Sequence, residues 1–404
     1  MTVSYLTSQV PGIGGQIKET PADFQVTEIP LYEPCGSGEH TYVLVEKEGL
    51  TTLELLHRLA RELGIAEREL GYAGMKDARG ITRQTVSIPR VAPERLLGLT
   101  IPKVRILSAV RHGNKLRLGH LAGNRFRIRI REPLPGTERH AEATLAILAT
   151  RGVPNFFGQQ RYGVQGNSHL IGQALLRGDH QGAITALIGS PDAVHEPRWQ
   201  EAIIAFQAGH LAESLALFPG HCRTERELVR RLCQQPTDWQ RAWRGVHPRL
   251  VNLYLSACQS ALFDRVLAAR LDTFDQVLIG DIAYKHANGA CFLVDGATEA
   301  APRAASFDIS ATGPLFGARM LAPQGEPLAL EEAVLTAAGL TGAEFDQAGP
   351  ARLNGERRPL RVPLAAPRLT GQDGDLVVEF ALPKGSYATV VLREMMKNPA
   401  MDSP

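Results

Sequence analysis

The sequence predicts an α+β fold in which a sheet-forming domain is interrupted by a mostly helical insertion. Three observations carry this. Residues 13–46 and 103–131 are rich in strand signals, among them period-two alternation of polar and apolar side chains, the signature of strands half buried against a core. Residues 168–271 are patterned almost wholly for helix. Strand signals return at the tail, over 360–364 and 376–381, so the C-terminal segment completes a sheet begun at the N-terminus. A chain of 404 residues is too long for one core and suits two or three units.

In chain order, Asp23 to Ile29 alternates polar and apolar with period two and reads as a strand. A loop holding Pro34, Gly36 and Gly38 leads to a second strand over 42–45. Thr51 and Glu54 form a capping box, each side chain satisfying a free N–H of the first helical turn. Leu53, Leu56, Leu59, Ala60 and Leu63 then share a face, and Gly64 ends the helix. A strand over 85–88 and a short helix over 94–97 follow, then strands within 103–131 and a helix over 138–150. After the helical middle, short strands are expected from 277 to 321, with loop over 312–327 and helix over 328–338. A final helix begins after Ser386, which is placed to be its N-cap.

Apolar residues make up 44% and charged residues 21% of the chain, a globular balance that excludes disorder. No signal peptide and no apolar run near 18 residues is present, so a cytoplasmic protein with no membrane segment is expected. The five cysteines lack C-x-x-C spacing and read as thiols of a reducing compartment, and the twelve histidines form no zinc pattern. The net charge of +2 hides an asymmetry: from Lys103 to Arg131 there are nine Lys or Arg and no acid. Within it, Arg125, Arg127, Arg129 and Arg131 share one face of a strand whose other face carries Phe126, Ile128 and Ile130. That footprint reads either as a solvated sheet face or, with no acid across 29 residues, as a surface for phosphate contact, which positions a nucleic acid without reading its sequence.

The candidate site is residues 71–87, GYAGMKDARGITRQTVS. It is a polar, glycine-rich stretch wedged between strand and helix patterns. Asp77 is either a turn aspartate bonding its own backbone or a carboxylate nucleophile or general base. With no partner carboxylate and no metal cluster beside it, any chemistry must suit one carboxylate. Lys76 adjoins it but, on extended chain, points the other way. Phe24 and Phe126 read as core aromatics or as stacking surfaces for a base, and Asn124 as a turn residue or a reader of a base edge. The segment 385–389 reads either as a capped helix start or as one that presents Tyr387 and free N–H groups to an anion.

Taken together, the segments 17–28 (IKETPADFQVTE), 36–40 (GSGEH), 71–87, 115–119 (KLRLG), 123–126 (GNRF), 152–163 (GVPNFFGQQRYG), 256–263 (SACQSALF) and 382–394 (LPKGSYATVVLRE) resemble, in the same order, the TruD family of tRNA pseudouridine synthases. The resemblance implies isomerisation of uridine to pseudouridine in tRNA, at position 13 in the bacterial members, with no cofactor, metal or ATP. It implies that Asp77 is the nucleophile and that Phe24, Asn124, Phe126 and Tyr387 contact the substrate, as walls for a base drawn out of the RNA stack. Lys18 and Lys76 are both candidates for the basic partner of Asp77. The implied fold is a catalytic domain with a mixed sheet, residues 1–152 with 362–404, interrupted by a TRUD insertion domain over 153–361, with the RNA in the cleft between them. Tyr387 stands where Phe is commoner in the family, and Gly80 where Ala is.

Overall fold

The structure, a computed structural model, describes residues 4–346 and 353–398. The chain divides into two compact units, one built chiefly from Pro154–Arg361 and the other from Thr7–Val153 with Val362–Asn398. Among the described residues no helix is long and apolar enough to cross a membrane.

The second unit is a sheet covered by helices. Its elements are β1 (Phe24–Pro30), β2 (His40–Glu48), α1 (Thr52–Leu63), β3 (Gly71–Tyr72), β4 (Ile81–Pro89), α2 (Pro93–Leu97), β5 (Val104–His112), β6 (Leu121–Ile130), α3 (Glu138–Arg151), β7 (Ala365–Gln372), β8 (Asp375–Pro383) and α4 (Ala388–Met396). The strands run in the order β7-β8-β6-β1-β4-β2-β5, with β3 paired to β4. The β1–β4 pairing is parallel and the rest of that path antiparallel, so the sheet is mixed. Chain from both ends meets in its middle: Phe126 of β6 lies opposite Val26 of β1 and Phe380 of β8.

The α1 capping box forms as the sequence requires, with Thr51 Oγ1 accepting from Glu54 N at 3.2 Å and Thr51 N donating to Glu54 Oε2 at 2.7 Å. Gly64 closes the helix at φ 70°, where a side chain would be strained. Leu55, Leu56, Leu59 and Leu63 pack on Val43, Val45, Val86 and Ile88. Leu53, expected on that face, is 52% exposed. The buried stripe runs 52, 55, 56, 59, 60, 63, and residue 53 falls outside its arc.

The structure corrects other boundaries. The strand expected over 85–88 begins at Ile81, because its first residues pair with both β1 and β2. The tail strand expected over 360–364 is present only as the short Arg361–Val362, and the longer β7 follows at Ala365–Gln372, an exposed edge strand with too little apolar alternation to announce itself. Residues 312–315 belong to a strand, Ile309–Leu315, and the helix expected from 328 begins at Gly325. The N-cap of α4 is Tyr387, not Ser386.

The other unit is mainly helical. Helices from Ser168–Leu176 to Pro248–Ala269 enclose a core that includes Ile184, Ile203, Phe206, Leu228 and Trp243. A four-stranded sheet follows, in the order Glu356–Pro359, Ile309–Leu315, Ile282–Lys285, Cys291–Leu293.

Candidate active site

Alternation on β1 sends Phe24, Val26 and Glu28 to the buried face of the sheet. On β6 the same rule sends Phe126 and Ile128 there, with Asn124 two residues before Phe126. Phe24 meets Phe126 edge to face, ring centroids 6.4 Å apart, and Phe126 meets Phe380 at 5.4 Å. Phe24 and Phe126 are 5% and 6% exposed, so both rings are packed. Lys18 Nζ sits 4.3 Å from the Phe24 ring centre, a cation–π contact. Its backbone is held at φ 62°, unusual for a residue with a side chain and often found at functional sites.

Asp77 lies in the loop between β3 and β4, exposed, with its neighbours tied down on every side. Gly119 N donates to Ala73 O at 2.8 Å, and Lys76 N donates to Thr52 Oγ1 at 2.8 Å. The Lys76 ammonium reaches Glu28 Oε2 at 3.1 Å, with side chains 6% and 2% exposed. Lys47 Nζ donates to the main-chain oxygen of Asp77 at 3.2 Å. At the loop's end, a Cβ on Gly80 would stand 2.4 Å from the carbonyl oxygen of Phe24. The glycine there accompanies a close approach of β1 to the loop, so it is not a neutral departure from the family's alanine.

The two candidate cations therefore separate. Lys76 is spent on Glu28 inside the core, while Asp77 is exposed. Lys18 responds to Asp77: burial pushes its ammonium below the usual lysine range, the Asp77 carboxylate opposes that shift, and Arg79 adds to it.

Asn124 and Tyr387 come to one end of the sheet. Asn124 pairs with Leu382 and Gly123 with Pro383, so the turn from Lys384 to Tyr387 leaves β8 beside Asn124. Gly123 permits the approach, since a Cβ there would lie 2.2 Å from Leu382 O. Asn124 Oδ1 and Ser386 Oγ are buried and take no hydrogen bond from the described residues. Buried polar atoms without partners are uncommon, and at this position they are groups a polar ligand would satisfy.

The arginine face of β6 differs from its expected state. Arg127 pairs with Glu379 at 3.2 Å, Arg129 with Asp375 at 2.6 Å, and Arg131 with Asp23 at 2.8 Å. Their acids come from β8 and from the residue before β1, outside the acid-free window. Arg125, midway along the strand, is exposed.

Sequence reasoning missed Lys47 and did not single out Glu28. The available signal was a charge at an inward position: Glu28 continues the face of Phe24 and Val26, and Lys47 that of Val43 and Val45.

Comparison with known proteins accounts for these features together. A profile of the family tRNA pseudouridine synthase D (TruD) matches residues 1–395. The chain is 63% identical to tRNA pseudouridine synthase D of Geobacter sulfurreducens, covering 98% of this chain and 97% of that one. It is 41% identical to tRNA pseudouridine synthase D of Thermus thermophilus, over 98% and 93% respectively. The crystal structure of a protein described as a putative TruD from Methanosarcina mazei superposes with a TM-score of 0.86 at 28% identity, covering 99% of this chain and 97% of that one. With a mixed sheet, an inserted helical unit and the K-D loop in place, the chain belongs to the TruD family.

Proposed function

We propose that this protein is a cytoplasmic tRNA pseudouridine synthase that isomerises uridine at position 13 of tRNA, with Asp77 as its nucleophile. The sheet unit is then the catalytic domain and the helical unit the TRUD insertion. The observation that carries the reading is the Asp77 loop. The loop backbone is held by Thr52 at Lys76 N and by Lys47 at the Asp77 main-chain oxygen, Lys76 is fastened to Glu28, and the exposed Asp77 carboxylate acts on Lys18.

The reaction is an isomerisation. The bond from the sugar C1′ to uracil N1 breaks, the base turns, and C1′ bonds to C5; C5 loses a proton and N1 gains one. Atoms and electrons balance within the substrate. The protein's task is to hold the base, provide a carboxylate for the displaced bond, and move one proton. Lys18 is the cation whose charge the Asp77 carboxylate acts on. Asn124 Oδ1 offers an acceptor to a base N–H, and Tyr387 a ring at the neighbouring turn. Phe24 and Phe126 are the floor, contacting the base at their rims.

The test is release of tritium from C5 of labelled uridine in tRNA. Asp77→Asn should abolish release while tRNA affinity stays within about threefold of wild type. Asp77→Asn activity within tenfold of wild type would remove Asp77 from the chemistry. A transcript with cytidine at position 13 should give no release; release from it would refute the position and leave the role of Asp77 standing.

A further inference from the structure

We propose that Lys47 is a positioning residue for the catalytic loop, its buried ammonium holding Asp77 by the main-chain oxygen; the inference rests on the reading of Asp77 as nucleophile. Lys47 lies on β2 with its side chain on the core side. Val43, Val45 and Lys47 are all buried, Lys47 at 1% exposure. A lysine at such a position needs an explanation, because a buried ammonium is stable only when its donors are satisfied.

The surroundings supply one. As β2 and β4 approach the Asp77 loop, their shared inner face turns from apolar to polar. Val45 gives way to Lys47 on β2, and Val86 to Gln84 and Thr82 on β4. Lys47 stands directly opposite Thr82 in the antiparallel register. Its ammonium donates to two main-chain oxygens, Leu50 O in the turn before α1 and Asp77 O at 3.2 Å. Among the described residues it makes no ion pair with a carboxylate. One buried side chain thus ties the β2–α1 turn to the residue that carries the nucleophile. With Lys76 fastened to Glu28 and to Thr52, it fixes the loop backbone on both sides of the Lys76–Asp77 peptide.

The anchor is also a charge near Asp77. Burial pushes the Lys47 ammonium down to about 8; the Asp77 carboxylate opposes that shift, Lys76 adds to it, and Glu54 opposes it. These are the charged groups facing it from the loop and from α1. A folded-state value below the ordinary lysine range means the ammonium loses its proton as pH rises through about 8. The charge-assisted hold on Asp77 O weakens over the same interval.

The experiment compares wild type, Lys47→Met and Lys47→Arg in single-turnover tritium release from tRNA between pH 6.5 and 9.5, with tRNA affinity and thermal midpoint measured on the same proteins. Lys47→Met should lose about 10²-fold in the chemical step, the scale of a misplaced catalytic group, with affinity within threefold of wild type. Wild type should lose rate as pH rises through about 8. Lys47→Arg, whose charge persists, should keep its rate over that interval and recover part of the loss in Lys47→Met. A Lys47→Met chemical step within threefold of wild type overturns the proposal. So do coincident pH profiles for wild type and Lys47→Arg, a readout that survives if Lys47→Met fails to fold. Asp77→Asn run alongside separates the two layers. If it is active, the reading of Asp77 fails; if it is silent while Lys47→Met is normal, only the role of Lys47 falls.

Discussion

Replacing Lys76 by Met tests whether the Lys-Asp neighbours work as a pair or back to back. The Lys76 ammonium is 3.1 Å from Glu28 Oε2, and the two side chains are 6% and 2% exposed. Removing the cation strands the Glu28 carboxylate in the core, where Thr85 N–H at 3.3 Å is the donor that remains to it. Losing one partner of a buried ion pair costs about 3–5 kcal/mol. At about 1.4 kcal/mol per factor of ten, backbone amides of β1 and β4 that exchange by unfolding of the sheet unit should exchange roughly 10²–10³-fold faster or more. Hydrogen exchange is the right assay because Trp199, Trp239 and Trp243 all lie in the helical unit and report on that unit instead. The double variant Lys76→Met with Glu28→Gln removes both charges and should recover most of the loss, as buried pairs do when both members are neutralised. Acceleration below tenfold in the single variant, or additive effects in the double, would refute the account of Lys76 as a core ion pair. Activity completes the test. The double variant should keep pseudouridine formation within about tenfold of wild type; a well-folded double variant without activity would make Lys76 itself the cation Asp77 needs.

Two further predictions use groups whose partners differ. Asn124→Ala should lower kcat/KM by about 10–100-fold, the worth of one or more buried hydrogen bonds, while moving the thermal midpoint little, since Asn124 Oδ1 takes no bond from the described protein; a midpoint loss that matches the activity loss would make Asn124 structural. Arg125→Gln should flatten the salt dependence of tRNA binding by about one phosphate contact. Arg127→Gln should change it less, because Arg127 already pairs with Glu379. Equal slopes for the two variants would return the whole arginine face to the RNA.

Much was legible in the sequence because it depends on local rules. The Thr51–Glu54 capping box, the Gly64 stop and the inward faces of β1 and β6 follow from backbone geometry over a few residues. The family pattern around Asp77 was equally local, and the match over residues 1–395 agrees with it. The burial of Lys76 beside an exposed Asp77 also fits the alternation expected of neighbours on extended chain.

What tertiary structure decided was pairing. A window of nine cations without an acid looked like a free basic face, yet β8 and Asp23 bring carboxylates to Arg127, Arg129 and Arg131. Glu379 lies far along the chain from Arg127, and no local count can see it. The same holds for Lys76 with Glu28 and for Lys47 with the Asp77 carbonyl, partners set by a parallel β1–β4 pairing and an antiparallel β2–β4 pairing. The sequence by itself determined which residues could do chemistry and which face of each strand they occupy. Only the folded sheet decided which charges are spent holding one another in place and which are left for a substrate, because a charge becomes available only when no opposite charge has been brought within its reach.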